Sequence, residues 1–599
     1  MTTIDARSTT SAPSATARRW FELLVGGAAF VAYARSLTFG FIYDDTTVIR
    51  SNPQIQRWSS VLHALAQPYW GAGGEASGLY RPAFVALIGT LWNATNHLPL
   101  WFHLFAVLLH VAASIAVFRI ASYAVGKWPA VIGALWFAVQ PVHVEAIASV
   151  ANSSEIMVAL LALALAGMVW RRAQSAVELS WRWAIGAALL FAAACLVKES
   201  GVMLPALALV FAALWATPSL DWRQTRERLA LARWWRVIVA SIAMFALTIA
   251  ARVAVLGALV PAAIAAPGLI GLSFTQRLWS MVALGPVASR LLLIPRELNP
   301  HYGPSYIAGV ATSTTDAWMT IVALVVVVSI SIVLARKGDG RLAAGVAWLL
   351  LAFVPASNIF SATGQIFAER TLYVSTIGSA LIVAWVADRV RVLAMSGSTA
   401  RKSTLRAVEL FGGAVAALVL AFALQRTWRD LLPWRSHTAL FAQMLVADPD
   451  SYRAHWLIGM DQRSRGQTDS AVTNLAYAYE AFPDDRQLVV DFAETLRARG
   501  SHTEAATVAS RLMRWPELRR NDEALTLYLD ETGHAFGADS VRVAGERLLD
   551  GASSSTAARF VGDAKLALGD SAGAKAAYQR GLALAPNDTA LTRRVSALR

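Results

Sequence analysis

The chain has 599 residues, of which 56% are hydrophobic and 15% charged, and its formal net charge is +14. Ordinary soluble proteins hold about 45–50% apolar and about 25% charged residues, so this composition excludes both a single soluble enzyme and a disordered chain. A basic excess in so apolar a chain points to the cytoplasmic loops of a membrane protein rather than to nucleic acid.

Residues 1–17 are rich in Ser, Thr and Ala and contain no apolar run. With Arg18 and Arg19 they read as a disordered cytoplasmic tail, residues 1–19. The apolar stretch 21–39 that follows reads as an uncleaved first spanning helix, its basic residues held inside. A signal peptide cleaved after Ala32-Tyr33-Ala34 is the competing reading. Apolar segments recur at about 102–124, 129–147, 153–170, 183–197, 200–216, 237–257, 317–335, 342–356, 371–387 and 407–425, which with the first makes eleven. The stretch 276–295 is interrupted by Arg277, Pro286, Arg290 and Pro295, with Arg296 just beyond, and reads as interfacial or re-entrant. Residues 20–425 thus form a polytopic helical membrane domain. The one cysteine, Cys195, lies within it, which excludes internal disulfides and thiolate metal clusters.

Charge tests the alternation of these segments. With the N-terminus inside, the connections 125–128, 171–182, 217–236, 336–341 and 388–406 are also inside, and they carry the clustered Arg and Lys. The outer set is 40–101, 140–152, 198–199, 258–316 and 357–370, together with everything after 426.

From residue 426 charge rises and apolar runs stop. Gly466, Gly500, Gly533 and Gly569 are 34, 33 and 36 apart, and Pro483 and Pro516 are 33 apart. A period near 34 residues is that of tetratricopeptide repeats, whose stacked helical hairpins bury a continuous core. Residues 426–599 are therefore expected to be a repeat solenoid offering a concave surface to a protein or glycan; a spacer or dimerisation module is the bland alternative.

Ionisable groups near a membrane are costly and mark function. They collect on the outer side: Asp44 and Asp45 after the first helix, His143 and Glu145, the pair Lys198-Glu199, Arg290, Arg296 and His301, and Glu369-Arg370. Carboxylates beside cations suit transfer of a sugar from a lipid-linked phosphate. A carboxylate takes the acceptor's proton and Arg or Lys neutralises the leaving phosphate. An ion-coupled transporter would instead keep such groups near the midplane in broken helices. A membrane-tethered repeat scaffold is the third reading. No Walker loop, HExxH or GxSxG pattern is present.

Several blocks, in order, resemble one family. Phe41-Ile42-Tyr43-Asp44-Asp45 with Ile49 and Asn52-Pro53 is similar to the first-loop motif of the transmembrane and tetratricopeptide repeat O-mannosyltransferases and their bacterial relatives. Tyr80-Arg81-Pro82, Phe102-His103-Leu104 and Leu109-His110 resemble the next block, and Gln140-Pro141-Val142-His143-Val144-Glu145-Ala146 resembles HPVHxEA with Gln for the first His. Lys198-Glu199-Ser200-Gly201, Leu291-Leu292-Leu293-Ile294-Pro295 with Leu298 and Tyr302, Glu369-Arg370-Thr371-Leu372-Tyr373 and Trp428-Arg429-Asp430 resemble later ones.

The resemblance implies an all-α GT-C glycosyltransferase fold, a polyprenyl-phosphate sugar donor (mannose in that family) and inversion at the anomeric carbon. It implies Asp44 as catalytic base with Asp45 supporting it; Arg81, Lys198 and Arg370 for the donor phosphate; and Glu145, Glu199 and His143 to position substrate or cations. No cofactor and no dedicated metal-ligand set is evident, although Asp44 and Asp45 offer oxygens to a divalent cation. Richness in Arg and Ala with few Lys suggests a bacterial plasma membrane, with the repeats outside.

Overall fold

A computed structural model describes residues 15–70, 78–175, 178–215, 229–258, 266–293, 295, 297–307, 313–360, 362–396, 402–551 and 554–598. The described residues are helical apart from their connections and one isolated bridge between Tyr302 and Phe367. Of the expected tail, residues 1–14 lie outside the described residues, and Ala15 already opens the helix Ala15–Tyr33. The expected inner basic residues Arg223, Arg226, Arg228 and Arg401, and Arg296 of the outer loop, also lie outside them.

The chain divides into two compact units, Met1–Ala447 and Asp448–Arg599. The boundary falls beyond residue 426 because the helix Lys402–Leu431 runs through that point and the chain after it stays tied to the first unit. Thr427 Oγ1 donates to the Val139 carbonyl at 2.8 Å, Trp428 Nε1 to the Val31 carbonyl at 3.0 Å, and Trp434 is buried.

In the first unit every one of the eleven expected apolar segments contains helix. Four helical stretches among the described residues are long and apolar enough to cross a membrane: Pro99–Ala121, Val150–Gln174, Leu231–Leu256 and Thr315–Arg336. A fifth is the pair Lys127–Ala138 and Pro141–Ala148, bent by 49°. The number falls short of eleven in two ways: Trp181–Val197 with 17 residues and Arg341–Phe353 with 13 are short, while Ala15–Tyr33, Ser375–Ser396 and Lys402–Leu431 have the length but are not among the stretches that combine it with the apolarity. A full crossing needs about 20 residues. The stretch read as re-entrant forms two short helices, Phe274–Val282 and Gly285–Leu293. The segment expected outside also contains a 13-residue helix, Pro82–Ala94, whose Phe84, Ile88 and Trp92 are buried; Pro82 at its start supplies a fixed φ and needs no amide partner.

Small residues set the closest helix crossings in this unit. A Cβ at Gly378 would lie 2.5 Å from the Gly345 carbonyl oxygen, so Arg341–Phe353 and Ser375–Ser396 meet backbone to backbone. Without a strong hydrophobic drive between helices in lipid, such close packing is a main source of association.

The second unit is a stack of helical hairpins: Tyr452–Ser464 with Thr468–Ala481, Arg486–Arg499 with His502–Ser510, the long Asp522–Gly551, then Ser555–Ala567 with Ser571–Leu584, and Thr589–Ala597. Tyr452, Trp456, Leu475, Leu488, Phe492 and Leu512 share one core across successive hairpins. Gly466, Gly500 and Gly569 make the left-handed turns between helices, with φ of 76°, 82° and 83°. Gly533 does not. The corresponding break is at Gly537, with φ 80° and ψ 179° inside Asp522–Gly551, so the third hairpin is four residues out of phase with the glycine spacing. The fold of this unit is a tetratricopeptide-type α-solenoid.

Two substitutions probe these cores. Leu475, fully buried between hairpins, should cost about 2–5 kcal/mol on change to Ala, read as a lower denaturant midpoint of the repeat-unit transition. Gly378→Val should lower the thermal aggregation midpoint of the detergent-solubilised protein, because the added methyls collide with the Gly345 backbone.

Candidate active site

The two aspartates follow a strained turn. Tyr43 has φ 51°, a left-handed conformation that costs a bulky residue on the order of 1–3 kcal/mol. Its amide donates to His437 Nε2 at 3.1 Å, which holds the turn. The two carboxylates then enter different environments.

Asp45 is fully buried. Its carboxylate accepts from Ser149 Oγ, Val150 N and Ala151 N at 3.0, 3.1 and 2.8 Å. These donors favour the charged form, yet burial outweighs them and raises the Asp45 carboxyl to about 7. Asp44 is half-buried, and its carboxylate has neither hydrogen bond nor ion pair among the described residues. Its field reaches Arg370, Glu145 and Tyr69.

The cations arrive already paired, each with a carboxylate from another segment. Arg370 forms an ion pair with Glu145, its backbone amide donates to Glu145 Oε2 at 2.9 Å, and its Nη2 donates to Gln365 Oε1 at 2.6 Å. Arg81 reaches Glu199 Oε2 through Nε and Nη2 at 2.9 and 2.8 Å, with its guanidinium 4.9 Å from the centre of the Tyr69 ring. Lys198 Nζ lies 2.7 Å from Glu155 Oε1. Arg252 adds a further cation 3.7 Å from Glu199 Oε1. Among the described residues, Arg81 and Arg252 both face Glu199, and Lys198 faces Glu155.

Lys198 and Glu199, adjacent in sequence, turn to different partners. Glu369 and Arg370 also do not pair with each other. Glu369 is buried and accepts from the Asn299 amide and from Tyr302 Oη, both at 2.7 Å, which anchors the loop 297–307. Arg290, on the helix Gly285–Leu293, reaches that loop, with Nη2 donating to Tyr306 Oη at 3.0 Å. His143 is set apart from the group. It is fully buried against Phe137, His110 and Tyr373, with Nε2 2.7 Å from Thr376 Oγ1.

Sequence reasoning missed Glu155, Arg252, Tyr69, Gln365 and His437. Glu155 carried a signal, an acid opening an apolar helix. The others had no local mark, because only the fold brings them to the aspartates.

Asp45→Asn should destabilise the protein by about 1–3 kcal/mol, because one amide nitrogen would face hydrogen-bond donors. The folded Asp45 carboxyl at about 7 binds its proton more tightly than the unfolded one near 3.8. Its ionisation therefore weakens the fold as pH rises between those values, and the parent's advantage over Asp45→Asn should shrink across that window in denaturation curves.

No family model matches the chain. Among curated proteins, human protein O-mannosyl-transferase TMTC4 is 24% identical over 502 residues, covering 76% of this chain and 65% of that protein. Mouse protein O-mannosyl-transferase TMTC3 is 23% identical over 486 residues, covering 77% of this chain and 51% of that protein. The chain thus spans between about half and two-thirds of the length of these relatives. Among solved structures, the Archaeoglobus fulgidus oligosaccharyltransferase aligns with 76% of this chain and 59% of its own, at 14% identity and TM-score 0.36. Over about three-quarters of its length, then, the chain is similar in sequence to the transmembrane and tetratricopeptide repeat O-mannosyltransferases, the family its motifs resemble.

Proposed function

We propose that this chain is an integral-membrane glycosyltransferase. It moves a sugar, mannose, from a polyprenyl-phosphate donor to a hydroxyl on an extracytoplasmic protein acceptor, with inversion. The observation that carries the proposal is Asp44, a half-buried carboxylate with neither hydrogen bond nor ion pair among the described residues, set by a buried twin and within the field of Arg370. The names of the relatives support a protein acceptor and mannose. The Arg- and Ala-rich, Lys-poor composition supports a bacterial plasma membrane, and the basic inner loops support repeats on the opposite side.

The chemistry follows from the charges. The acceptor oxygen attacks the anomeric carbon from the face opposite the phosphate, so configuration inverts. Its proton passes to an Asp44 carboxylate oxygen as the carbon–phosphate-oxygen bond breaks, and the phosphate departs with the electron pair. Arg81, Lys198, Arg252 and Arg370 meet the charge that develops on it. Glu145, Glu155 and Glu199 hold those cations in place, and Asp45 and His143 act as positioning residues. A divalent ion shared by the two aspartates fits poorly, because the Asp45 oxygens already face three hydrogen-bond donors.

Purified protein incubated with radiolabelled polyprenyl-phosphate mannose and acceptor membranes should yield labelled protein. Asp44→Asn should lower single-turnover rate by about 10²–10⁴ while leaving donor binding and folding intact. Arg370→Ala or Lys198→Ala should instead weaken donor binding. Asp44→Asn at the parent rate would remove the base. With Cys195 replaced, Ser470→Cys should be labelled by an impermeant maleimide in intact cells and Ala400→Cys protected; the reverse would invert the topology.

A further inference from the structure

We infer that His502, Glu531 and His534 form a binding site for a divalent first-row transition ion within the repeat unit. The three residues come from two helices. His502 opens His502–Ser510, while Glu531 and His534 lie one turn apart on Asp522–Gly551. That i, i+3 spacing puts the carboxylate and the imidazole on one helix face. Their ligand atoms all lie within 4.8 Å of one another. His502 Nδ1 is 2.8 Å from Glu531 Oε2, and the two imidazole rings stack with centroids 4.9 Å apart.

Burial separates this group from an ordinary surface ion pair. The Glu531 side chain is 1% exposed, whereas those of His502 and His534 are 39% and 54% exposed. A buried carboxylate requires a cation or good donors. Among the described residues its one permanently charged partner, Arg497, stands 3.7 Å from Oε1, too far for a hydrogen bond. The other nearby acid, Asp530, lies 4.0 Å from His534 Nδ1. On His534, Nδ1–H donates to the Asp530 carbonyl at 2.9 Å, so the lone pair sits on Nε2. A backbone carbonyl fixing the tautomer in this way is a recurrent outer support of metal-binding histidines. Two imidazoles and a carboxylate, open to solvent on one side, make a three-ligand set suited to Zn²⁺ and its neighbours in the transition series.

The site has a structural consequence. It bridges His502–Ser510 to Asp522–Gly551 three residues before the Gly537 break, where the hairpin spacing departs from its period. A bound ion clamps this joint.

The test uses the untagged full chain in detergent, stripped with chelator and titrated with Zn²⁺ alone. One Zn²⁺ per chain should be retained after desalting, Co²⁺ in its place should give a visible absorption band, and Zn²⁺ should raise the unfolding midpoint of the repeat unit. His534 is the most exposed member, so His534→Gln keeps the fold while weakening Zn²⁺ binding by about tenfold or more. Glu531→Gln should do the same, and His455→Gln, a histidine elsewhere in the unit, should bind as the parent does. Absence of stoichiometric Zn²⁺, or equal binding by the parent and folded His534→Gln, would overturn the proposal. Both outcomes are independent of glycosyl transfer.

Discussion

The arrangement of the candidate site depends on one carboxylate. Asp45 gathers the Ser149 hydroxyl and two consecutive backbone amides, Val150 and Ala151, that begin the apolar stretch Val150–Gln174. The first amides of a helix have no partner of their own and need one. A carboxylate there satisfies them and lies favourably in the helix dipole. The contact joins the segment after the first helix to the opening of a long apolar helix across 104 to 106 positions of sequence. With Asp45 committed inward, Asp44 stays half-buried with neither hydrogen bond nor ion pair among the described residues, and the same dipeptide supplies both an anchor and a carboxylate left over from the packing.

Around it, buried and half-buried charges are tolerated because each has found a partner from another segment. Glu145 with Arg370, Glu155 with Lys198 and Glu199 with Arg81 are separated in sequence by 225, 43 and 118 positions. Such pairs contribute little net stability, since desolvation offsets attraction, but removing one member leaves an uncompensated charge. Their value is placement. They hold the cations at fixed positions. The backbone contact of Gly345 with Gly378 brings together two helices close to the Arg370 segment.

The repeat unit follows a different logic. Its hairpins are held by an apolar stripe shared between neighbours, with left-handed glycines closing most turns. The phase change at Gly537 breaks the strict period without breaking the stack, because nearest-neighbour packing needs only local complementarity.

The sequence alone determined the composition-level facts: helical segments in their order, the repeat unit and the resemblance carried by Tyr43-Asp44-Asp45 and its companion blocks. Hydropathy and the period of repeats are local properties, so they survive in one dimension. Local spacing does not say which charges meet. It placed Lys198 beside Glu199 and Glu369 beside Arg370, whereas the fold pairs each with a distant partner. The resemblance implied Asp44 as the base and Asp45 as its support, but local spacing gives no physical ground for the difference, because adjacent carboxylates differ only in what surrounds them after folding. It set the repeat unit to begin at 426, whereas the helix Lys402–Leu431 runs through that point within the first unit, and it counted Gly533 in the repeat spacing where the backbone break is at Gly537. Burial, partner choice and backbone conformation are decided by tertiary packing, where residues far apart in the chain compete for the same space and the same hydrogen bonds.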